Sequence, residues 1–200
     1  MWIVIDGVAG SGKTLLQTWL IRNEWKKGRL VKVNYAVNYN NINANVERFY
    51  NIDEVYNYKD AVIGLDDAQK LIGWWQYMPV TFRNLISEHR HQKLLVISST
   101  QDFMNMHPIV RKNVHMVYRC VSIFRFPKDD SVFPVIQWIR VIKKERALSD
   151  SFDNLRFIQK GRAKHYLISR FWTKNYYDTY ENIKGERFLC KLTFSRKYAN

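Results

Sequence analysis

Cysteine is nearly absent from this chain of 200 residues: the only two are Cys120 and Cys190. Neither belongs to a CxxC or a Cys/His ligand set, which excludes a disulfide scaffold and a zinc ribbon and leaves a reduced, intracellular setting as the expectation. Long apolar runs are missing too. The longest are strand-sized, far short of the ~20 residues that cross a bilayer, and no basic region precedes the first apolar run, so neither a membrane span nor an export signal is expected. Acidic residues are the third scarcity. There are 18 Asp and Glu against 32 Lys and Arg, a formal net charge of +14. Such a field suits a polyanion such as DNA or RNA, although charge alone never specifies a partner.

What is present begins at the first residues. Trp2 to Ile5 is a continuous apolar run, as in a strand buried on both faces, and glycines end it. From Lys13 onward Leu15, Leu16, Trp19, Leu20 and Ile21 recur at helical spacing, until Lys26-Lys27-Gly28 closes the segment. Between strand and helix lies Gly7-Val8-Ala9-Gly10-Ser11-Gly12-Lys13-Thr14, a full match to G-x-x-x-x-G-K-[ST]. Glycines there let backbone N–H groups turn toward phosphate oxygens, and the helix N-terminus adds its dipole. Gly7, Gly10, Ser11, Gly12, Lys13 and Thr14 are therefore the expected nucleotide-binding residues. Lys13 reaches the β- and γ-phosphates and the Thr14 hydroxyl ligates magnesium, so ATP and Mg²⁺ are the expected cofactors.

Further strands are expected at Leu30 to Tyr35, Ala61 to Leu65, Leu94 to Ser98 and Val114 to Phe124, with helical stretches at Asp67 to Ile72 and Phe82 to His89 between them. Strands interleaved with helices predict a three-layer α/β domain with a mainly parallel sheet. After Phe126 the texture becomes β-rich, basic and aromatic, with strands at Pro134 to Lys144 and Ala163 to Trp172. Residues 1–200 are read as one domain, with a nucleotide-binding core at 1–126 and an extension of the same domain at 127–200.

The stretch "AVIGLDDAQ" is an apolar strand that ends in two acids. Asp66 is placed as a partner of Mg²⁺, and Asp67 where a general base or water-orienting acid is needed. The alternative is that the two acids only cap the helix that follows. "HRHQKLLVISSTQDF" is a second buried strand ending in Ser99-Thr100-Gln101, polar groups at a carboxyl end where ligands bind in open α/β sheets. Gln101 is the candidate for a bond to the γ-phosphate or the attacking water. Of Trp74 and Trp75, one is expected to pack inward and the other to cover a nucleotide or an interface. The His89 and His91 pair lacks further ligands for a metal, so structural hydrogen bonding is expected of it.

In order, "GVAGSGKT", "VIGLDDAQ", "HRHQKLLVISSTQ" and "MHPIVRKN" resemble the ATPase core of the FtsK/HerA superfamily, with RecA-like architecture. Within it the chain is similar to viral genome-packaging ATPases and to the N-terminal domain of zonula occludens toxin-like (Zot-like) proteins of filamentous phages. Arg90-His91 and the run Ile109 to Asn113 stand where those families carry an Arg-His pair and an I-R-x-N run, here with one residue inserted. "YYDTYE" at Tyr176 to Glu181 resembles the end of the same domain. Asp67 departs from the glutamate that many relatives carry at its position.

The resemblance implies an ATP-hydrolysing motor that moves double-stranded DNA, working as a homo-oligomeric, hexameric ring. A capsid or membrane-associated virion protein would be a further partner, and the location would be the host cytoplasm or the virion. It also implies an arginine that completes the site of a neighbouring protomer, with Arg83, Arg90, Arg111 and Arg119 as candidates and Arg90 among the catalytic set. The alternatives are a Zot-like phage assembly and extrusion ATPase, a small nucleotide kinase, and an ATP-holding switch without turnover. For DNA contact the basic residues Arg140, Lys143, Lys144, Arg146, Arg156, Lys160, Arg162, Lys164 and Arg170 are candidates. Their aromatic neighbours Trp138, Phe171 and Trp172 are expected mostly in the core.

Overall fold

The computed structural model describes residues 1–35, 37, 46–75, 77–78, 80–126, 136–146 and 157–169. Among them, nine strands form one sheet. In chain order these are β1 (Trp2–Asp6), β2 (Leu30–Val33), β3 (Val46–Arg48), β4 (Ala61–Leu65), β5 (Leu95–Thr100), β6 (Met116–Phe126), β7 (Ile136–Arg146), β8 (Phe157–Gln159) and β9 (Lys164–Ser169). The helices are α1 (Lys13–Trp25), α2 (Gln69–Ile72), α3 (Val80–Glu88) and α4 (Pro108–Asn113), with short 3-10 turns at Ile52–Asn57 and Phe103–Asn105. The sheet order is β3-β2-β4-β5-β1-β6-β7-β8, with β9 also on β7. Pairing is parallel from β3 through β6, and antiparallel from β7 onward.

Three layers follow from how β1 and its neighbours alternate. Trp2 and Val4 point to one face, into a core with Ile63, Leu65, Phe82, Leu85, Ile86 and Val110 beneath α3 and α4. Ile3 and Ile5 point to the other, into a core with Leu16, Ile21, Val31, Val33, Val62 and Ile97 beneath α1. Strands buried on both faces need helices on both, which is why these segments read as unbroken apolar runs. Helix α1 is held by polar groups as well. Gln17 is fully buried and its Nε2 donates to the Ile97 carbonyl at 3.1 Å. Trp19, counted with the apolar face in sequence, is 45% exposed and lies against the Tyr166 ring of β9 at 5.8 Å.

Each expected strand is present; the one at Ala61 to Leu65 has the expected ends, and the others differ by one or a few residues, because hydrogen bonds to neighbouring strands set those ends. Strand β3, strand β8 and helix α4 have no counterpart in the sequence reading. β3 and β8 are too short to show an alternation. The ends of the expected strands at 134–135 and 170–172 lie outside the described residues, as do most of the Asn-rich connection, Arg156, Arg170, the "YYDTYE" run and Cys190. Among the described residues no helix is long and apolar enough to cross a membrane.

Phe82 is 1% exposed and meets Trp2 edge to face at 6.2 Å. Phe82→Ala removes that contact and leaves a cavity, so it is expected to cost about 3 to 5 kcal/mol of unfolding free energy in urea titration. A loss below about 1 kcal/mol would mean that the face beneath α3 is not packed as described.

Candidate active site at the carboxyl edge of the sheet

The loop from Gly7 to Gly12 leaves the carboxyl end of β1 and opens directly into α1. Two glycines are required on steric grounds. A Cβ on Gly7 would stand 2.5 Å from the Cys120 carbonyl oxygen of β6, and Gly12 has φ +89°, a left-handed conformation that other residues adopt at a cost. The turn closes on itself, since Ser11 N donates to the Val8 carbonyl at 3.2 Å. Lys13 Nζ donates to the same carbonyl at 2.8 Å. Burial pulls the Lys13 ammonium below its ordinary range, while the charges of Asp66 and Asp67 oppose that shift and place both carboxylates within its field.

The acids do not come from the strand beside β1. β4 lies one strand further away, and β5 runs between them. The intervening strand delivers Ser99, whose Oγ donates to Asp66 Oδ1 at 2.5 Å. Thr14 Oγ1 donates to the same carboxylate at 3.0 Å. Three expected or adjacent elements thus converge: the last residue of the loop motif, the first acid and the polar strand end. The sequence places Ser99 in a polar strand end without giving it a role of its own. Asn34 belongs to no motif, yet its side chain clamps the Asp66 backbone at both groups, Nδ2 to the carbonyl at 2.9 Å and Oδ1 from the N–H at 2.7 Å. A polar residue straight after β2 was the available signal.

Asp67 follows in left-handed backbone, φ +48°, with its N–H donating to Ser99 Oγ at 3.0 Å. Aspartate tolerates that region better than most residues. Its carboxylate pairs with Lys70 Nζ at 2.8 Å. Gln101 is exposed just beyond β5 at the same sheet edge.

Arg90 is not at this edge. Its Nη2 lies 2.5 Å from His115 Nε2, and His115 Nδ1 accepts from the N–H of Trp2 at the start of β1, so Arg90 sits at the opposite end of the strands from the loop. Arg119 is at the loop end, paired in register with Asp6. Arg83 and Arg111 lie on α3 and α4, bonded to the Met78 carbonyl and to Met104 Sδ. Trp74 and Trp75 are both outside, 61% and 54% exposed, and meet edge to face at 5.8 Å. The expectation of one inward ring is corrected: Gly73 and Trp74 are held to the segment at Asn105 and Met106 by backbone bonds, which leave both rings on the surface.

In the β-rich part the basic residues are only partly free. Lys143 and Lys160 both pair with Glu145 at 2.6 Å. Trp138, expected in the core, is 42% exposed because β7 turns Gln137, Ile139 and Val141 inward instead. Cys120 is buried beside the loop, and burial pushes its thiol up to about 12. His89 bonds the Ile86 carbonyl through Nδ1 at 2.6 Å.

The donor set suits a nucleoside triphosphate with a hard cation. Magnesium keeps several waters and takes one or two protein oxygens beside phosphate oxygens, which Thr14 and Asp66 supply without a cluster of three acids or histidines. No such cluster occurs among the described residues.

No family model matches the sequence, and no curated protein is similar to it in sequence. Solved structures are similar in shape. The N-terminal domain of zonular occludens toxin from Neisseria meningitidis superposes with a TM-score of 0.55 at 15% identity, over 88% of this chain and 97% of that one. The genome packaging NTPase B204 of Sulfolobus turreted icosahedral virus 2, solved with ATP-gammaS, gives 0.49 at 16% identity, over 68% of this chain and 90% of that one. The flagellar accessory protein FlaH of Methanocaldococcus jannaschii gives 0.47 at 15%, over 72% and 76%. The first of these likenesses shows the fold, a mixed α/β architecture with a mostly parallel central sheet, which is the P-loop NTPase fold.

Burial holds the Asp66 carboxyl above its ordinary range; the bonds from Ser99 and Thr14 oppose the shift and the charge of Asp67 adds to it. A carboxyl raised in the folded state opposes folding once pH passes its unfolded value of about 3.9, and stability is lost as pH rises through the window above it. Asp66→Asn lacks that titration. It is expected to melt above the wild type at pH 7.5, with the gap closing as pH falls toward 4, measured by thermal unfolding without nucleotide. A wild type that is the more stable at pH 7.5 would contradict the burial of an ionisable Asp66.

Proposed function

We propose that this chain binds ATP with magnesium, hydrolyses it, and couples hydrolysis to the movement of double-stranded DNA, as a viral genome-packaging motor does. The observation that carries the nucleotide part is the convergence of Thr14, Ser99 and Asp66 at the carboxyl edge beside the buried Lys13. In this reading Lys13 holds the β- and γ-phosphates, Thr14 and Asp66 hold the metal, Asp67 orients the attacking water, and Gln101 senses the γ-phosphate. Magnesium, when bound, neutralises charge that builds on the phosphate oxygens. Arg90, remote from the loop of its own chain, is available to a neighbouring protomer in a ring, and Arg119 to the site of its own.

The DNA part rests on the net charge of +14 and on the motif resemblance. A second reading, a Zot-like assembly ATPase, is favoured by one observation: the likeness to the zonular occludens toxin domain extends over 88% of this chain.

Steady-state ATPase assays at low salt, with and without double-stranded DNA, test the proposal. Wild type is expected to turn over with DNA stimulation, and Lys13→Ala and Asp67→Asn to lose about 100-fold or more of kcat. Absence of turnover with DNA present would sink the motor, and phosphate transfer to a nucleoside would make the chain a kinase. DNA binding should weaken steeply as salt rises. Sizing with ATP and Mg²⁺ is expected to give a ring, and a monomer under every condition would count against translocation.

A further inference from the structure

The β6–β7 ribbon does more than extend the sheet. Its inner face forms the wall behind the phosphate loop: the Cys120 carbonyl bars any side chain at Gly7, and a Cβ on Gly12 would meet Ile139 at 3.0 Å. Two residues before Ile139, on the same inward face of β7, is Gln137, 4% exposed, whose Nε2 donates to the Gly10 carbonyl at 2.5 Å and to Ser122 Oγ at 3.2 Å. A carbonyl only accepts, so the amide must present its nitrogen to Gly10.

That bond reaches further than one atom. In a trans peptide the C=O and N–H point from opposite edges of one plane. The plane joining Gly10 to Ser11 is pinned on both, by Gln137 at the carbonyl and by the Val8 carbonyl at the Ser11 N–H. The Val8 carbonyl also accepts from Lys13 Nζ. A continuous chain of hydrogen bonds therefore runs from β7 through the loop to its lysine. Glycine-rich backbone loses much freedom on ordering, and an external pin removes part of that loss before a ligand arrives.

We propose that Gln137 is a positioning residue of the phosphate loop: its carboxamide, delivered by the β-rich ribbon, holds the Gly10–Ser11 peptide in the orientation that receives a nucleoside triphosphate. Gln137 acts through Gly10 and Lys13 and touches no phosphate itself. The proposal rests on the reading of the loop as an ATP site. It also makes β7 a mechanical link, because Trp138 and Arg140, the residues on the strand's other face, are exposed.

The test is calorimetric ATP·Mg²⁺ binding to the full chain as wild type, Gln137→Met and Lys13→Ala. Methionine fills the same space without a donor, and Kd is expected to rise about tenfold while kcat at saturating ATP stays within about threefold of wild type. Equal Kd for wild type and Gln137→Met overturns the proposal and leaves the ATP site standing. A wild type that binds no ATP overturns both. If Gln137→Met does not fold, hydrogen exchange of the wild type decides: ATP should protect residues 136–139 together with 7–14, and protection of 7–14 alone overturns the assignment.

Discussion

A single half-buried carboxylate organises the candidate site. Asp66 receives Ser99 and Thr14 on its side chain and Asn34 on its backbone, so β2, β4, β5 and α1 meet at one residue. Burial alone would disfavour the charge. The hydroxyl donors make it tolerable, and they are the kind of partners that a divalent cation can partly replace. The desolvation that raises the Asp66 carboxyl also lowers the Lys13 ammonium, and each charge supports the other across the edge of the sheet.

The position of β5 explains why the site is built this way. Although β5 separates β4 from β1, Thr14 at the end of the loop still reaches the Asp66 carboxylate directly, and Ser99 of β5 bonds both that carboxylate and the Asp67 N–H. The left-handed turn at Asp67 follows from that demand: the chain must leave β4 sharply while its N–H stays on Ser99. On the other side of β1 the wall is the β6–β7 ribbon, and the loop lies between two supports that differ in kind, one ionisable and one neutral.

The parallel core and the loop were legible because their physics is local. A strand buried on both faces is an unbroken apolar run, and a phosphate loop is written in consecutive residues. Thr14 and Asp66 were named as partners from motif logic, and their side chains meet. What escaped is what depends on the third dimension. Asn34 and Gln137 act across 32 and 127 residues of chain, and neither belongs to a run that marks it. Gln137 did carry a signal, a polar residue at an inward position of the alternation in "IQWIRV". The same alternation turns Trp138 outward, where its aromatic character alone predicts the core. Trp74 and Trp75 were ambiguous for the opposite reason, since adjacent aromatics in a loop have no periodicity to assign their faces.

The central claim is that Thr14 and Asp66 form a magnesium site that works with the loop in holding ATP. It is tested most directly by measuring ATP affinity calorimetrically in Mg²⁺ and in EDTA, for the wild type and Thr14→Val. The account predicts tighter binding with Mg²⁺ in the wild type and no such gain in Thr14→Val. Affinity that is indifferent to Mg²⁺ in the wild type, or a gain that survives the loss of the hydroxyl, would contradict it.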